Sequence, residues 1–468
     1  MQNQSIILLG GSNSVRQNGL QLGLKEAIEA HNTKLNQNFA NKFTKNSITR
    51  DSTTSAGGAF LEFYNLALGA TTSIQNLYEL KRERNREILK NAALIITESN
   101  INEAEEFLET YGNIPLEVIC RNLEWFYQEL NALNKTALSI IFPANKGKYE
   151  IINQIHRTLC VKYGINCIDL HAYYKKNNVM ESWKQIDDNH PFPYVLRVLG
   201  RNIIASLESF SAQKSPTKTH NVEFAILKAE ELEANLTKHR LKNSMYDETT
   251  YQIDANVRAK FPERFFGYYP IGIHTWNNFD GQMESLGGNE VTYLTSFADT
   301  LFSNSNTQLI RESCFLNNML EMNYANAFCI DSTSFISANP QDNGIAREKY
   351  HLAYCYFNGK ERIVPTKYTH INLIAIFLAK GDVAIKEIDI EALQNPIAIP
   401  QKYNFDRLIP PIKQYEEAID TYCAIVDPMK FHHYNAQLNQ AQQYINAMQE
   451  QLTTAYAQIQ EYQNLLKS

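Results

Sequence analysis

The first 210 residues alternate short apolar runs with helical stretches, and this alternation constrains the fold of the 468-residue chain more than any other feature. The apolar runs end in small or polar residues, which is typical of strands buried on both faces. They are SIILLG (5–10), YNLALG (64–69), ALIITESN (93–100), ALSIIFPANK (137–146) and NCIDL (166–170). Between them, residues such as Leu20, Leu24 and Ile28 form helical stripes. The pattern predicts a three-layer α/β domain over residues 1–210, with ligands bound beyond the carboxyl ends of its parallel strands.

The rest of the chain changes character twice. After a predicted linker at 211–221, residues 222–427 carry runs rich in Tyr, Phe, Ile and Thr that are separated by turn residues. Such runs predict an antiparallel β-sandwich domain. Residues 430–468 form a third region. Within the first domain, the polar and aperiodic segment 32–58 is predicted to be a loop insertion near the binding edge.

The tail has the clearest periodicity, with apolar residues spaced alternately by three and four positions. They are Leu438, Ala441, Ile445, Met448, Leu452, Ala455, Ile459, Tyr462 and Leu466. A repeat of 3.5 residues predicts a coiled-coil helix over 430–468, and hence a homo-oligomer. One amphipathic helix folded back on its own protein is the alternative.

Composition excludes several classes of function. Hydrophobic residues make up 44% and charged residues 20%, which is an ordinary globular balance, and the net charge of −6 argues against nucleic acid or an anionic membrane as partner. The seven cysteines form no CxxC pair, so no metal site or disulfide framework is predicted. Because no stretch approaches the roughly 20 apolar residues of a membrane span and the first residues lack a basic region, we expect a cytoplasmic protein without a transmembrane segment.

The segment LLGGSNSVRQNG (8–19) carries the first candidate for chemistry. Ser12 follows a buried strand and would project above the carboxyl edge of the sheet, and Gly10 and Gly11 allow the tight turn that this needs. A serine hydroxyl is a poor nucleophile without a base. On this segment alone, a helix cap or a turn that cradles phosphate is the favoured interpretation.

Groups that could activate Ser12 occur later in the domain. Asp187 and His190, in IDDNHPFPY, are three residues apart where the last helix begins, although such a loop is also an ordinary turn. His171 has no carboxylate at matching spacing and is interpreted as structural. Gly69 and Asn100 end the second and third strands, where a backbone N–H and a side-chain amide could stabilise an oxyanion.

In chain order these residues are a Ser, a Gly, an Asn and an Asp-x-x-His, each following a strand, and this order resembles the SGNH/GDSL hydrolase family. The resemblance covers residues 5 to about 205 and implies a flavodoxin-like fold. It implies that Ser12 is the nucleophile, that His190 is its base, oriented by Asp187, and that Gly69, Asn100 and the Ser12 N–H form the oxyanion hole. The usual Gly-Asp-Ser is here Gly10-Gly11-Ser12, and the usual Gly-x-Asn-Asp is Glu98-Ser99-Asn100-Ile101.

Aromatic residues supply candidates for substrate binding. The stretch 264–281 gathers Phe265, Phe266, Tyr268, Tyr269 and Trp276 among small and amide residues, a mixture that suits stacking on sugar rings but also fills sandwich cores. Trp276 in this stretch and Trp183 just before the Asp-x-x-His turn are predicted to bind substrate. The resemblance extends, less specifically, to SGNH domains associated with bacterial surface-polysaccharide synthesis.

The sequence therefore predicts a serine-nucleophile acyl-ester enzyme that acts on a carbohydrate, as an O-acetyl esterase or an O-acetyltransferase. No cofactor is expected, although a transferase could use acetyl-CoA as acyl donor. The alternative is a non-catalytic glycan-binding protein assembled by the coiled coil. A third interpretation, a transferase that cradles nucleotide phosphate with GGSNS, is disfavoured by the Asp-x-x-His turn.

Overall fold

The computed structural model describes most of the chain, with short gaps. The described residues are 3–45, 59–107, 114–143, 149–177, 189–215, 221–277, 296–314, 317–323, 328–338, 344–348, 366–395, 397–414, 438–439, 441–456 and 459. Residues 1–409 form one compact unit and residues 410–468 form a second.

A five-stranded parallel sheet lies in the first part of the chain. Its strands are β1 (Gln4–Leu9), β2 (Leu61–Asn65), β3 (Ala92–Thr97), β4 (Ala137–Ile141) and β5 (Asn166–Asp169). Their order is β2-β1-β3-β4-β5, and every pairing is parallel. This is the doubly wound flavodoxin-like order, in which β1 and β3 flank the point where the winding reverses. The predicted α/β fold is confirmed.

Helices connect the strands and cover both faces of the sheet. They are α1 (Ser12–Val15), α2 (Leu20–Lys45), α3 (Ser73–Lys81), α4 (Arg86–Lys90), α5 (Asn100–Phe107), α6 (Leu116–Ala132), α7 (Tyr149–Tyr163), α8 (Leu170–Lys176) and α9 (Pro193–Ala205). One packed group contains α2 and α9, and another contains α3, α5, α6 and α7. Right-handed crossovers on either side of β1 place the two groups on opposite faces.

Two local predictions differ from the structure. The strand expected at 64–69 lies at Leu61–Asn65. The loop expected over 32–58 is wrong for residues 32–45, because α2 continues through them to Lys45; residues 46–58 lie outside the described part. The side chain of Asn32 bonds both the N–H and the carbonyl of Leu61, at 2.9 Å each, and so fastens the middle of α2 to β2.

Two mainly antiparallel sheets follow and confirm the sandwich-like region. Their strands are β6 (Val222–Lys228), β7 (Thr237–Lys242), β8 (Asp247–Asp254), β9 (Ala259–Lys260), β10 (Tyr269–Trp276), β11 (Ser296–Ser303), β12 (Gln308–Cys314), β13 (Asn317–Glu321), β14 (Phe335–Ala338), β15 (Arg347–Glu348), β16 (Thr366–Tyr368) and β17 (His370–Gly381). One sheet has the order β13-β10-β17-β8-β7, with β6 also paired to β17, and the other has the order β15-β12-β11-β14-β9, with β16 paired to β11. Buried side chains such as Ile273, Phe302 and Ile376 fill the space between them.

The sheet that contains β10 has a second buried face, which packs on α3 and α6. Strand residues alternate between faces, so that Ile273 points into the sandwich core while His274 points to α3. There His274 Nδ1 lies 3.1 Å from the hydroxyl of Tyr78. Phe224 of β6 packs edge-on against Trp125 of α6. The sandwich and the α/β region therefore share one continuous buried interface within residues 1–409.

After β17 the chain returns to the parallel sheet through α10 (Ile390–Gln394). Cys167 of β5 donates its N–H to the carbonyl of Tyr403 at 2.8 Å and accepts from the N–H of Phe405 at 2.9 Å. Asn202 of α9 donates to the carbonyl of Leu408. Residues 403–408 thus lie along the edge of β5, and their contacts cross the domain boundary predicted near 211–221.

In the second unit, residues 441–456 are helical. The side chains of the predicted coiled-coil seam are exposed, with 47% of Ile445, 68% of Met448 and 58% of Leu452 accessible. Tyr462 and Leu466 lie outside the described residues, and the coiled coil stays a prediction. None of the described helices has the length and apolar content needed to cross a membrane.

Candidate active site

Ser12 and His190 meet at the carboxyl edge of the parallel sheet. β1 ends at Leu9, two glycines follow, and Ser12 is the first residue of α1. The distance from Ser12 Oγ to His190 Nε2 is 2.7 Å, and both side chains are half-buried. In the neutral imidazole whose proton is on Nδ1, Nε2 accepts from the hydroxyl. This is the geometry that a nucleophile and its general base require. Residues 10–14 are called the serine turn below.

Close packing of α2 on α9 places His190 over the serine turn. A Cβ on Gly23 would lie 2.0 Å from the carbonyl oxygen of Arg197, and one on Gly200 would lie 2.6 Å from that of Leu20. Only glycine therefore allows the two helices to approach so closely. The residue before His190 is held as well, because Asn13 Nδ2 donates to the Asn189 carbonyl at 3.2 Å.

The third member of the expected triad, Asp187, lies outside the described residues, as does Trp183. The competing histidine, His171, lies in α8 with its Nε2 3.1 Å from Glu150 Oε2. Hydrogen bonds from His171 and Arg157 hold the pKa of Glu150 well below its usual range, despite partial burial. His171 thus belongs to an ion-pair cluster, whereas His190 is the histidine bonded to Ser12.

Gly69 lies in the turn that follows β2, next to the serine turn. The N–H of Leu68 donates to the Gly10 carbonyl at 2.9 Å, which joins the two turns. A Cβ on Gly69 would meet no described heavy atom within 4 Å, so the space beside it is open. The N–H of Ser12 stands at the start of α1, where a helix offers no partner of its own. Gly69 and Ser12, the two residues expected to supply backbone N–H groups, thus lie on turns that are joined by a hydrogen bond.

Asn100 is placed differently from what its expected role requires. It is fully buried at the start of α5. Its amide nitrogen donates to the Phe142 carbonyl at 3.0 Å and to Asn153 Oδ1 at 2.7 Å, while its oxygen accepts from the Phe142 N–H at 3.0 Å. Both amide hydrogens are used to tie the end of β3 to the end of β4. In this structure the Asn100 side chain has no hydrogen left for an oxyanion.

A second amide, Asn102, lies beside the serine turn instead. Its Nδ2 donates to the Thr71 carbonyl at 2.7 Å, and the side chain is half-buried. A Cβ on Gly11 would lie only 2.0 Å from this nitrogen, so the amide occupies the space that a side chain at position 11 would need. Among the described residues, Asn102 Nδ2 uses one of its two hydrogens. Asn102 was not predicted as a site residue, although the second Asn in Asn-Ile-Asn (100–102) was a visible signal.

Glu98 supports the serine turn from the end of β3. Its Oε1 accepts from the Gly11 N–H at 2.8 Å, the Ser14 N–H at 3.2 Å and the Ser14 hydroxyl at 2.8 Å. Only 2% of the residue is exposed. Burial raises the pKa of Glu98 to about 7, and the hydrogen bonds from the serine turn oppose that rise. Two of the residues that depart from the SGNH/GDSL pattern, Glu98 and Gly11, thus lie in contact.

Trp276 lies away from these groups. β10 runs along α3, with Gly272 against Ile74 near the start of the helix and His274 against Tyr78 one turn later. Trp276 is two residues further, roughly 13 Å along the strand from Gly272. The start of α3 is the end nearest the serine turn. The structure therefore does not bring Trp276 to the serine–histidine pair.

The aromatic stretch 264–281 mostly serves the sandwich core. Phe265 and Tyr268 are buried there among the aliphatic side chains of both sheets. Residues 278–281 lie outside the described part. Among the described residues, no group of three or more His, Cys, Asp or Glu side chains is arranged to hold a metal ion.

Comparison with known proteins gives similarities to solved structures only. No family model matches the chain, and no curated protein matches it. A crystal structure of TesA is 15% identical and aligns over 44% of this chain and 98% of its own, with a TM-score of 0.30. An acetyl xylan esterase, AlAXEase, is 17% identical over 44% and 98%, with a TM-score of 0.28. The lipase Lip_vut3 from a goat rumen metagenome is 14% identical over 43% and 97%, with a TM-score of 0.31.

Proposed function

We propose that this protein is a serine-dependent acyl-ester enzyme whose nucleophile is Ser12. The observation that carries the proposal is the 2.7 Å contact between Ser12 Oγ and His190 Nε2. It lies beyond the carboxyl ends of β1 and β3, the place where doubly wound sheets bind ligands. A serine that only capped a helix would not require a histidine hydrogen-bonded to its hydroxyl.

In the proposed mechanism, Ser12 Oγ attacks the ester carbonyl while His190 Nε2 takes the hydroxyl proton. The tetrahedral oxyanion is stabilised by the N–H groups of Ser12 and Gly69 and by the remaining amide hydrogen of Asn102. His190 then donates its proton to the leaving alkoxide, and the acyl group stays on Ser12. In the second half, the same imidazole deprotonates the acceptor that releases the acyl group. Asp187 is proposed as the carboxylate that orients the imidazole.

The substrate that we propose is an O-acetylated carbohydrate, a bacterial surface polysaccharide or its precursor, and this part rests on the family resemblance alone. A water acceptor makes the protein an esterase. A sugar hydroxyl makes it an O-acetyltransferase, for which acetyl-CoA is a suitable donor.

The test is the release of p-nitrophenolate and acetate from p-nitrophenyl acetate, repeated with an acetylated oligosaccharide. We expect catalytic release from the small ester and a higher kcat/KM for the sugar ester. A protein that releases neither product from either ester contradicts the proposal. Acetate that appears on an added sugar, rather than in solution, identifies the transferase.

Asn102 and Asn100 are expected to respond differently to replacement by alanine. Asn102→Ala removes a donor to the oxyanion and should lower kcat by about a hundredfold. Asn100→Ala leaves the Phe142 N–H and Asn153 unpaired, and should lower the free energy of unfolding by about 1–3 kcal/mol for each buried group. Both are measured with ester kinetics and urea unfolding. Loss of kcat in Asn100→Ala at unchanged stability would return the oxyanion role to Asn100.

The proposal includes self-association through the coiled coil over 430–468. Its exposed Ile445, Met448 and Leu452 would pack against the same residues of a second copy. Leu452→Asp places a charge in that seam and should make the protein monomeric. Gln451→Asp, an exposed neighbour off the seam, is the matched control and should leave the oligomer intact. Light scattering after gel filtration measures both, and a monomeric wild-type protein contradicts this part.

A further inference from the structure

One carboxylate oxygen supports most of the serine turn. The Oε1 of Glu98 accepts three hydrogen bonds, from the Gly11 N–H and from the N–H and hydroxyl of Ser14. These donors lie immediately before and two residues after Ser12. The position of the Ser12 hydroxyl is therefore set by a group that does not itself touch it.

The serine turn is shaped around this carboxylate. A Cβ on Gly10 would lie 2.5 Å from Glu98 Oε1 and 2.7 Å from Ser14 Oγ, so a side chain at position 10 would displace the carboxylate. The other oxygen, Oε2, is buried, and no hydrogen bond to it is found among the described residues. The described hydrogen bonds of the Glu98 side chain are thus directed to the serine turn, and Oε2 can carry a proton without breaking any of those bonds.

We propose that Glu98 is a positioning residue for Ser12, and that its ionised form holds the serine turn in the reactive geometry while its protonated form holds it less firmly. This inference rests on the proposed function, because it concerns the same nucleophile. Hydrogen bonds to a charged acceptor are shorter and roughly twice as strong as those to a neutral one. Protonation at Oε2 would therefore weaken all three bonds without moving any residue out of contact.

The surroundings of Glu98 place this ionisation in the neutral range. Burial raises the pKa of Glu98 to about 7, the buried carboxylate of Glu103 in α5 raises it further, and the bonds from Ser14 and Gly11 lower it. His156 of α7 lies behind Glu103, with its Nε2 3.7 Å from Glu103 Oε2. His190 contacts the serine turn at Ser12, with Nε2 2.7 Å from the hydroxyl oxygen. As the pH falls below 7, Glu98 gains a proton and the turn loosens.

The experiment measures kcat and kcat/KM for p-nitrophenyl acetate from pH 5 to 9. Wild-type kcat and kcat/KM should fall on the acid side of pH 7, because Glu98 becomes protonated there and the serine turn loosens. Glu98→Gln keeps the Oε1 acceptor and cannot ionise. Because it is neutral at every pH, as protonated Glu98 is, it should lower kcat at pH 8 by about fivefold, a change of about 1 kcal/mol, and its acid limb should have one ionisation fewer than that of the wild-type protein. Glu98→Ala should lose about tenfold in kcat at every pH with little change in KM.

Two neighbouring variants should move the profile in opposite directions. Ser14→Ala removes a hydrogen bond that lowers the pKa of Glu98, so the steep part of the acid limb should move to higher pH. Glu103→Gln removes a charge that raises the pKa of Glu98, so the steep part should move to lower pH. A residue that only filled space would produce neither shift.

The outcomes separate this inference from the proposed function. Wild-type turnover with an acid limb that Glu98→Gln leaves unchanged overturns the inference alone, as does full kcat in folded Glu98→Ala. Absence of wild-type turnover overturns both. A profile with one ionisation fewer in Glu98→Gln, together with the two opposite shifts, supports the inference.

Discussion

Ser12→Ala is expected to lower kcat/KM for p-nitrophenyl acetate by about a thousandfold or more, since nucleophile and base act as one unit. The side chain is half-buried, and its described partner is His190. Removing one hydroxyl from the edge of the sheet should leave the melting temperature nearly unchanged. His190→Ala should cause a loss of similar size, and the double variant should be no slower than either single variant.

Ser209→Ala is the matched control, because Ser209 is an exposed serine whose hydroxyl, among the described residues, bonds the Ser206 carbonyl and the Arg407 side chain. Its kinetics should equal those of the wild-type protein. Retention of more than a tenth of the activity in folded Ser12→Ala would mean that the hydrolysis occurs elsewhere on the protein.

Arg82→Met is expected to lower the free energy of unfolding by about 3 kcal/mol, the lower end of the usual cost of breaking a buried ion pair, because Arg84 Nη1 still lies 2.8 Å from Glu248 Oε1. Arg82, which follows α3, bonds both carboxylate oxygens of Glu248 in β8 at 2.9 Å and lies 3.2 Å from Glu79. Both carboxylates are buried. The neighbouring His274 cannot replace the charge, because burial lowers its pKa to about 3 and keeps it neutral.

The control for Arg82→Met is Arg240→Met. Arg240 makes the same two-pronged contact with Asp247, at 2.7 Å for each bond, but on the exposed surface of the same sheet. Exposed pairs contribute little to stability, so this variant should unfold at the wild-type urea concentration. Equal unfolding midpoints for the two variants would show that the Arg82 cluster does not hold the sandwich to α3.

Short, mostly apolar strands and their order along the chain made the parallel sheet predictable. The same topology made the meeting of Ser12 and His190 predictable, because residues that follow the strands of a parallel sheet gather at one edge. In these cases the pattern along the sequence was enough for the prediction, and no tertiary contact had to be known. The antiparallel region was recognisable for a similar reason, from alternating β-branched and aromatic residues between turns.

Which of Asn100 and Asn102 lies beside the serine turn could not be predicted from the sequence. They are two residues apart on a helix, so a rotation of about 200° around the axis separates their side chains, which point to nearly opposite sides. Which of them reaches the edge depends on where α5 begins and how it packs against β4. The role of Glu98 was hidden for a related reason, because it appears only when the space left by Gly10 and Gly11 is seen in three dimensions.

The packing of the sandwich on α3 and α6 also could not be predicted. α3 carries buried polar residues such as Gln75 and Glu79, which a sequence pattern assigns to a solvent-facing side. Their partners lie in strands far along the chain, as in the contact of Glu248 with Arg82. The length of α2 was underestimated because its second half is polar and lacks an apolar stripe.

The most direct test of the central claim is the mass of the intact protein after reaction with a serine-directed phosphonate, followed by peptide mapping. We expect one phosphonyl group per chain, attached to the peptide that contains Ser12, and no adduct on Ser12→Ala. An unmodified wild-type protein, or an adduct on another residue, would contradict the assignment of Ser12 as the nucleophile.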